Sequence, residues 1–565
     1  MENKEIIRLL RRTASLMEIN GANEFKVRAV NNAIFNLERV TGKLEDMSPE
    51  ELQGLKGIGK SIAEQIAEII AENESTELRK LLDETPKGVV ELLNISGVGA
   101  KKIQLLWKEL NITSPLALKE AIEAGKLSSV KGFGEKTIQQ VTESLDFYLN
   151  NKHKLLISEA LTWSESIIRT FSDQLKEYKI SETGALRRRD LIISEFCYLV
   201  EDKDDVFEKI SGIDDFAMDR KRSSPFNWRG IHEPSGMHLR FRKADPAHFE
   251  IQKMRTTGPE NHLKALGLGT APYKFSNEEA AYKKAGYPFI PPDVRIAPDI
   301  LHADPSKIEN LIAEDDIRGI LHAHSTYSDG QYSIKEMVEA CRKAGYSYLG
   351  MTDHSKSSFF YANGLFENRV QDQFREIDQL QQEYPDFKIF KGIECDILSD
   401  GSLDYTNEFL EGFDFIIISV HSVLHMDIKT ATARLVKAIE NPFSTILGHL
   451  SGRLLLRRQG YPLHMPTILD ACRDNGVSIE INANPRRLDI DWSYLPEVLE
   501  RNIKISINPD AHNIKGINDV KFGVMAARKG LVTPADNLTS LPADELTRFF
   551  SERKAKSIQK VSHEH

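Results

Sequence analysis

The sequence predicts a multidomain α and α/β protein with three folded regions. Residues 1–150 show apolar residues at helical i, i+3, i+4 spacing, which indicates a helical domain. Residues 151–300 mix helical and strand-like segments, and residues 301–316 are expected to form a linker. In residues 317–565, seven short β-rich apolar runs alternate with amphipathic helical stretches, which is typical of a parallel α/β barrel or sheet.

Composition excludes several classes of protein. The 565 residues are 41% hydrophobic and 28% charged, which excludes a disordered chain, a collagen and a coiled coil. A formal charge of -10 excludes a uniformly basic nucleic-acid coat but allows local basic surfaces. The four cysteines form no CxxC pair and the apolar runs are only strand-length, so we expect a cytoplasmic monomer without disulfides or a membrane span.

An apolar-x-Gly-apolar-Gly pattern occurs three times in the helical domain, as LKGIGK, ISGVGA and VKGFGE. Each unit is expected to form a tight turn between two helices, with glycines that allow positive φ and bring backbone N–H groups close to a phosphate. Such helix-hairpin-helix units would bind the DNA backbone without reading bases. The alternative, a turn that only allows close helix packing, stays open for at least one copy. The residues predicted to contact DNA are Gly57, Gly59, Lys60, Gly97, Gly99, Lys101, Gly132, Gly134 and Lys136.

Polar and ionisable side chains follow nearly every apolar run of the C-terminal region. They are His322, His324, Asp329, Asp353, His354, Glu394, His421, His449, Glu480, Asn482, Asp510 and His512. The C-terminal strand ends of a βα barrel converge on one face, so these residues can share one pocket. Imidazoles and carboxylates crowded together need cations between them, and they are ligands of zinc, manganese and iron. The donors outnumber the ligands of one tetrahedral zinc, which favours two or three metals. The alternative is a set of scattered surface histidines.

Adjacent divalent ions can clamp an in-line phosphoryl displacement, so phosphoester hydrolysis is the expected chemistry. Lys356, Arg453 and Arg486 each follow one of these strands and are candidates to bind the phosphate oxygens of a substrate. His425 and His464 lack the strand-end placement and are interpreted as ordinary histidines.

The motifs HAHSTYSDG, MTDHS, GIECDIL, GHLSG and NPDAHN resemble those of PHP (polymerase and histidinol phosphatase) domains. They are most similar to the C-terminal PHP domain of bacterial family X DNA polymerases. The resemblance implies a distorted (β/α)7 barrel that holds three metals and has manganese-dependent 3′-5′ exonuclease activity at DNA ends. The expected cofactors are two or three Mn²⁺ or Zn²⁺ ions, with Fe²⁺ as an alternative. Carried over by position, the ligands are His322, His324, Asp329, His354, Glu394, His421, His449, Asp510 and His512.

The middle segment resembles the α+β palm and thumb of the family X nucleotidyltransferases, through GALRRRDLIISEFCYLV, MHLRFR and TTGPENH. Family members carry three metal-binding aspartates, whereas the matching positions here are Glu195, Cys197 and His238. A carboxylate, a thiol and an imidazole make a poor octahedral magnesium site, so we expect little or no DNA synthesis. A new zinc site and a decayed site kept as a scaffold are the two interpretations of these residues. The arginines at 187–189 are either DNA contacts or solvated side chains.

The leading hypothesis is a metal-dependent 3′-5′ exonuclease for DNA repair that binds DNA through its hairpins and has lost polymerase activity. One alternative keeps the barrel chemistry but assigns a small phosphomonoester such as histidinol phosphate as the substrate. The other is a non-catalytic DNA-binding scaffold with structural metals.

Overall fold

The structure is a computed structural model of the chain that describes residues 1, 3–38, 40, 43–203, 205–268, 275–297 and 299–563. The chain forms two compact units, Met1–Lys152 and His153–His565. No helix in the described ranges is long and apolar enough to cross a membrane.

The first unit is helical, as predicted, and its core is formed by the apolar stripes of its helices. Serine side chains begin several helices: Ser48, Ser75 and Ser114 each accept a hydrogen bond from a backbone N–H in the first turn. The helices in the described part of this unit are α1 (Asn3–Ile19), α2 (Glu24–Leu37), α3 (Pro49–Gly54), α4 (Lys60–Glu72), α5 (Thr76–Glu84), α6 (Lys87–Glu91), α7 (Ala100–Lys108), α8 (Pro115–Glu123) and α9 (Glu135–Asn151).

The second unit begins with an α+β region. Its helices are α10 (Ile157–Gln174), α11 (Gly184–Arg187), α12 (Val206–Ser211), α13 (Phe249–Thr257), α14 (Glu260–Ala265), α15 (Glu278–Ala285) and α16 (Pro305–Glu309). Its strands are β1 (Leu155–Leu156), β2 (Ile180–Glu182), β3 (Ile192–Ile193), β4 (Glu195–Glu201), β5 (Phe216–Met218), β6 (Asn227–His232) and β7 (Met237–Ala244). Strands β1 and β3 pair with each other, and the others form a sheet in the order β2-β4-β7-β6-β5.

The two faces of the five-stranded sheet differ in polarity. Strand residues alternate between faces, so Tyr198 and Phe241 lie on the face that packs against Phe171 of α10. The opposite face carries Glu195 and His238, which are direct neighbours in the parallel pair β4·β7. The residues of the expected polymerase site therefore lie on the face that is not packed against α10.

The remainder of the second unit is a nearly closed parallel barrel, which confirms the predicted fold. Its helices are α17 (Ile334–Lys343), α18 (Phe359–Ala362), α19 (Glu367–Glu383), α20 (Asn407–Leu410), α21 (Ile428–Ile439), α22 (Met465–Asn475), α23 (Leu495–Glu500), α24 (Val520–Lys529) and α25 (Ala543–His563). Its strands are β8 (Gly319–Ile320), β9 (Tyr348–Met351), β10 (Lys388–Asp396), β11 (Phe415–Ser419), β12 (Ile446–Leu447), β13 (Ser478–Asn482) and β14 (Ile505–Asn508).

The seven barrel strands lie side by side in chain order and are all parallel. The backbone just after β8 meets the backbone just after β14, where His324 N donates to Ala511 O at 2.9 Å. This contact brings the two ends of the sheet together and gives the strands a shared C-terminal mouth.

Residues 301–316 contain α16 and pack onto the barrel. Ile312 is buried, and its N–H donates to Val532 O at 3.0 Å. This segment lies within the second compact unit.

The C-terminal segment from Ser551 is helical up to His563. Phe550 of α25 stacks on Phe415 at 4.9 Å and meets the edge of Phe390 at 5.4 Å. Arg553 donates to the carbonyl oxygen of Asn475 at 3.1 Å. The helix therefore covers the end of the barrel opposite the mouth. Its polar composition gave no indication of this packing in the sequence.

We expect Phe550→Ala to lower the free energy of unfolding of the second unit by about 3 kcal/mol, because it leaves a cavity between two buried aromatic rings. Urea denaturation followed by fluorescence measures this. The matched control, Ile558→Ala on the exposed side of α25, should change stability by less than about 0.5 kcal/mol. Equal unfolding midpoints for the two variants would show that α25 does not seal the barrel.

Candidate functional site

The barrel mouth gathers the ionisable residues that the sequence places after the strands. They come from the ends of β8, β9, β10, β11, β12 and β14, and most are buried. Three groups in the described chain have ligand atoms within 4.8 Å of one another, which is close enough to hold a metal ion. The groups are His324, Asp329, His354 and His512; His322, His324 and Asp510; and His354, Glu394 and His421.

Glu394 lies at the centre of the mouth. One carboxylate oxygen is 3.1 Å from His421 Nε2 and 2.9 Å from His449 Nε2, and the other is 3.0 Å from His354 Nδ1. His449 belongs to none of the three groups but contacts the same carboxylate. All nine residues that the family resemblance names therefore lie in one connected cluster.

Several buried atoms in this cluster make no hydrogen bond with a described residue, among them His322 Nε2, Glu394 Oε2 and His449 Nδ1. An unbonded polar atom in a protein interior is costly, and a metal ion can satisfy it. Burial and the neighbouring His512 and His354 lower the pKa of His324 to about 3, so its imidazole is neutral. Although burial opposes ionisation, His421 and His322 hold the pKa of Glu394 well below its usual range. Despite their burial, the surrounding carboxylates raise the pKa of His322 and raise that of His421 to about 10, so a divalent ion would displace a proton from each ring. The ionised Glu394 and the neutral His324 are already in the forms that bind metals, and the residues fit divalent ions.

A second set of carboxylates orients the histidines. Glu480 Oε1 is 2.7 Å from His322 Nδ1, and Asp396 Oδ1 is 2.8 Å from His421 Nδ1. Each contact leaves the Nε2 atom of the ring directed toward the centre, as in carboxylate–histidine–metal arrangements. Sequence reasoning noted Glu480 without a role and missed Asp396. The available signal was that Asp396 is two residues after Glu394 and so shares its side of the strand.

Asp353 also supports the mouth without joining a metal group. It accepts hydrogen bonds from Ser325 N at 2.8 Å, Ser328 N at 3.1 Å and Gln373 Nε2 at 2.6 Å. These bonds fix the loop that carries Asp329.

The three predicted phosphate-binding residues differ in their surroundings. The Arg453 guanidinium holds the turn after β13, because it donates hydrogen bonds to Arg487 O at 3.0 Å, to Leu488 O and to the carboxylate of Asp491. The guanidinium is thus used within the protein, and the assignment of Arg453 to a substrate phosphate stays a prediction. Lys356 Nζ lies 2.6 Å from Glu367, and the Arg486 side chain is exposed.

The arginine at the mouth is instead Arg487, whose Nε is 3.6 Å from Asp510 Oδ2. The role predicted for Arg486 stays a prediction: its side chain is exposed, whereas that of Arg487 contacts a candidate metal ligand. His425 and His464 lie outside the three metal groups, and His464 Nδ1 is 2.7 Å from Thr467 Oγ1.

In the five-stranded sheet, an arginine occupies the expected polymerase site. Arg240 Nη2 lies 2.9 Å from Glu195 Oε2 and 3.1 Å from Cys197 Sγ. Burial and the nearby Glu195 raise the pKa of the Cys197 thiol to about 11, so the thiol stays protonated. A guanidinium cation between the donors repels a divalent ion, which argues against the zinc alternative for Glu195, Cys197 and His238.

The three consecutive arginines at 187–189 form ion pairs within the protein. Arg187 pairs with Glu278 at 2.5 Å, Arg188 with Asp190 at 2.6 Å and Arg189 with Glu182 at 2.8 Å. All three are partly buried in these ion pairs. The same region holds a cleft of about 560 Å³, and the basic side chains lining it that have no ion pair with a described residue are Arg220, Lys221, Arg222 and Arg229.

The three glycine hairpins share one geometry. The first glycine of each has a positive φ, which only glycine adopts without strain: +78° at Gly57, +86° at Gly97 and +91° at Gly132. The second glycine is the N-cap of the next helix, with φ −85° at Gly59, −76° at Gly99 and −64° at Gly134. Only the first glycine therefore matches the expected use of positive φ.

The second glycines are not required by the protein's own structure. Their backbone angles suit any residue, and a Cβ at Gly59, Gly99 or Gly134 would meet nothing within 4 Å. None of these N-caps offers a side chain to the first turn of α4, α7 or α9. A partner that approaches the backbone closely explains the glycines, and helix N-terminal amides suit phosphate. Lys60, Lys101 and Lys136 are exposed beside these turns.

Models of known protein families match the N-terminal and C-terminal parts of the chain. Residues 1–75 match a helix-hairpin-helix domain, residues 89–146 match a SAM-like helix-hairpin-helix tandem, and residues 321–484 match the PHP domain. A probable phosphatase from Thermoanaerobacter sp. (strain X514) is 25% identical over 246 residues, which cover 42% of this chain and 95% of that protein. A probable phosphatase from Clostridium botulinum (strain Hall) is 26% identical over 165 residues, 28% of this chain and 63% of that protein.

One relative matches almost the whole chain. The DNA polymerase/3′-5′ exonuclease PolX of Bacillus subtilis (strain 168) is 35% identical over 574 aligned positions, which cover 97% of this chain and 99% of that protein. Similarity at this level across the hairpins, the five-stranded sheet and the barrel cannot come from a single shared domain. The chain belongs to the bacterial family X DNA polymerases that carry a C-terminal PHP domain.

Proposed function

We propose that this protein is a metal-dependent 3′-5′ exonuclease that processes DNA ends and does not synthesise DNA. The observation that carries the proposal is the buried cluster around Glu394, with three overlapping groups of metal donors, in a chain that also has three glycine hairpins. The Bacillus subtilis relative, which is described as a DNA polymerase and 3′-5′ exonuclease, supports the exonuclease part of this assignment.

The proposed ligands are the nine residues of the cluster, which would hold two or three Mn²⁺ or Zn²⁺ ions, with Fe²⁺ as an alternative. When bound, such ions supply Lewis acidity toward a phosphate oxygen and the attacking water. Glu480 and Asp396 keep a proton on Nδ1 of His322 and His421, so each Nε2 lone pair faces the centre. Arg487, beside Asp510, places a positive charge where a phosphate would bind.

DNA is the proposed partner, bound through its backbone without sequence selection. The open helix N-termini at Gly59, Gly99 and Gly134 offer N–H groups to phosphates. The unpaired basic side chains of the 560 Å³ cleft offer a second phosphate-binding surface. We propose that the protein acts as a monomer.

A phosphomonoesterase is the second candidate, because the barrel region alone aligns with 95% of a probable phosphatase. The hairpins favour DNA, since a small phosphomonoester has no use for them. Turnover of short DNA compared with that of histidinol phosphate separates the two. Full DNA affinity without metal-dependent hydrolysis would identify the scaffold alternative.

We expect His322→Ala to reduce Mn²⁺-dependent removal of 3′ nucleotides by at least about a hundredfold, because it deletes a buried ligand that Glu480 orients. Gel analysis of 5′-labelled DNA measures the rate. His302→Ala, which removes an exposed histidine outside the mouth, is the control and should keep full activity. Wild-type protein that leaves labelled DNA intact would refute the nuclease assignment.

Metal binding is expected to stabilise the fold, since the ions would bind the folded mouth and not the unfolded chain. Mn²⁺ should raise the melting temperature of wild type and of His302→Ala. The gain should be smaller for Glu394→Gln, which removes the carboxylate shared by several histidines. Elemental analysis should find two or three ions per wild-type chain and fewer in Glu394→Gln. Identical metal content in all three proteins would exclude Glu394 as a ligand.

We expect no primer extension with Mg²⁺ or Mn²⁺, because Arg240 holds Glu195 and Cys197 in place of a metal. The assay uses His322→Ala, so that exonuclease activity cannot hide synthesis. Extension that is abolished by Glu195→Gln would show that the sheet still holds a polymerase site.

A further inference from the structure

Exposed aromatic side chains are concentrated beside the metal centre. Phe359, Phe360, Tyr361 and Phe366 are 41%, 92%, 57% and 44% exposed, and they are four of the fifteen large hydrophobic side chains exposed in the described part of the chain. All four lie within eight residues, in the segment that follows His354. Exposed apolar patches of this kind mark binding surfaces.

The rings form one surface, which we call the aromatic platform (Phe359, Phe360 and Phe366). Phe359 meets Phe360 with ring centres 5.6 Å apart and Phe366 with ring centres 5.4 Å apart. Arg369 adds a positive charge nearby, since its guanidinium donates to Asn363 O at 3.0 Å. The platform therefore combines flat apolar faces with a cation.

The backbone of this segment is fixed to the residues of the mouth at several points. Leu365 N donates to the carbonyl oxygen of His354 at 2.8 Å, and Asn363 Nδ2 donates to Tyr327 O at 3.1 Å, two residues before Asp329. Gly364 packs so closely on Ser355 that a Cβ would overlap the Ser355 carbonyl oxygen. The platform is thus held on the rim of the metal centre, although its rings face solvent.

Tyr361 ties the same segment to a candidate metal ligand. Its hydroxyl is 2.7 Å from Ser358 Oγ, Ser358 donates to Asp396, and Asp396 Oδ1 is 2.8 Å from His421 Nδ1. The segment that carries the platform is therefore linked to the candidate ligand His421 through Ser358 and Asp396.

We propose that the aromatic platform stacks on the unpaired base beside the scissile phosphate of a DNA 3′ end. This inference rests on the nuclease function proposed above and specifies its substrate as a single-stranded or frayed 3′ end. Every base offers a π face, so stacking is tolerant of sequence, in agreement with hairpins that contact only the backbone. The backbone that carries the rings is held to the mouth, so little backbone freedom is lost when a base binds. A base inside a duplex is already stacked and does not present its face.

The first test compares two substrates: single-stranded DNA with normal 3′-terminal nucleotides and the same strand with abasic sites at the last two positions. Phe360→Ala should raise KM on the normal strand about tenfold and leave KM on the abasic strand unchanged. Phe360→Trp should restore the wild-type value and Phe360→Leu should not, because the ring face is what binds. Equal losses on both strands, or no loss on either, would overturn the proposal.

A second test does not depend on cleavage. Single-stranded DNA with 2-aminopurine at the 3′ end is mixed with wild-type protein in EDTA, and its fluorescence should be quenched by stacking. Phe360→Ala should abolish the quench, whereas Ile558→Ala, which removes another exposed hydrophobic side chain, should keep it. The melting temperature of Phe360→Ala should equal that of wild type, since the ring is almost fully exposed.

The cleavage assay and the fluorescence quench distinguish a failure of the nuclease function from a failure of the platform proposal. If wild type cleaves no DNA, the nuclease function fails and the quench alone decides whether the platform binds bases. If cleavage proceeds without a quench, the platform proposal is overturned and the nuclease stands. A change in oligomeric mass on Phe360→Ala, with the quench retained, would identify a protein interface and also overturn the proposal.

Discussion

The constraint on which the barrel depends is the burial of a carboxylate among imidazoles at the mouth. Glu394 is almost inaccessible to solvent and lies within about hydrogen-bonding distance of His354, His421 and His449. So many donors and acceptors cannot all satisfy one another, and several buried atoms keep no hydrogen bond. Divalent cations resolve the conflict, because they take the lone pairs that the protein leaves unused. The chemistry of phosphoester hydrolysis follows from the same arrangement.

At the expected polymerase site of the five-stranded sheet, positively charged side chains accompany the residues at the metal-ligand positions. A polymerase site of this family concentrates carboxylates to hold cations, whereas here Arg240 contacts Glu195 and Cys197. The adjacent cleft is lined by basic residues that form no ion pair with a described residue. A surface of this sign attracts phosphates directly and repels metal ions. The charge of this surface is thus compatible with contact to DNA.

Rigid scaffolds position both the ligands and the substrate-facing groups. Glu480, Asp396 and Asp353 hold the histidines and the Asp329 loop, and α25 seals the far end of the barrel. The aromatic platform is held by the same strand ends, so the chemistry and the proposed base contact share one framework. Mutations of Glu480, Asp396 or Asp353 are expected to lower activity mainly by displacing the candidate metal ligands, since these residues are not expected to contact the substrate.

The sequence by itself determined the seven strands, their parallel order and the nine residues at their ends, because periodicity of apolar residues and strand-end placement are local properties. It also determined the three hairpins through their repeated glycines. Only the tertiary structure decided that Arg487 contacts Asp510 while Arg453 pairs within the protein, that Arg240 lies against Glu195 and Cys197, and that the C-terminal segment is a packed helix. Those outcomes depend on side-chain direction and on contacts between residues far apart in the chain, and no local pattern encodes them.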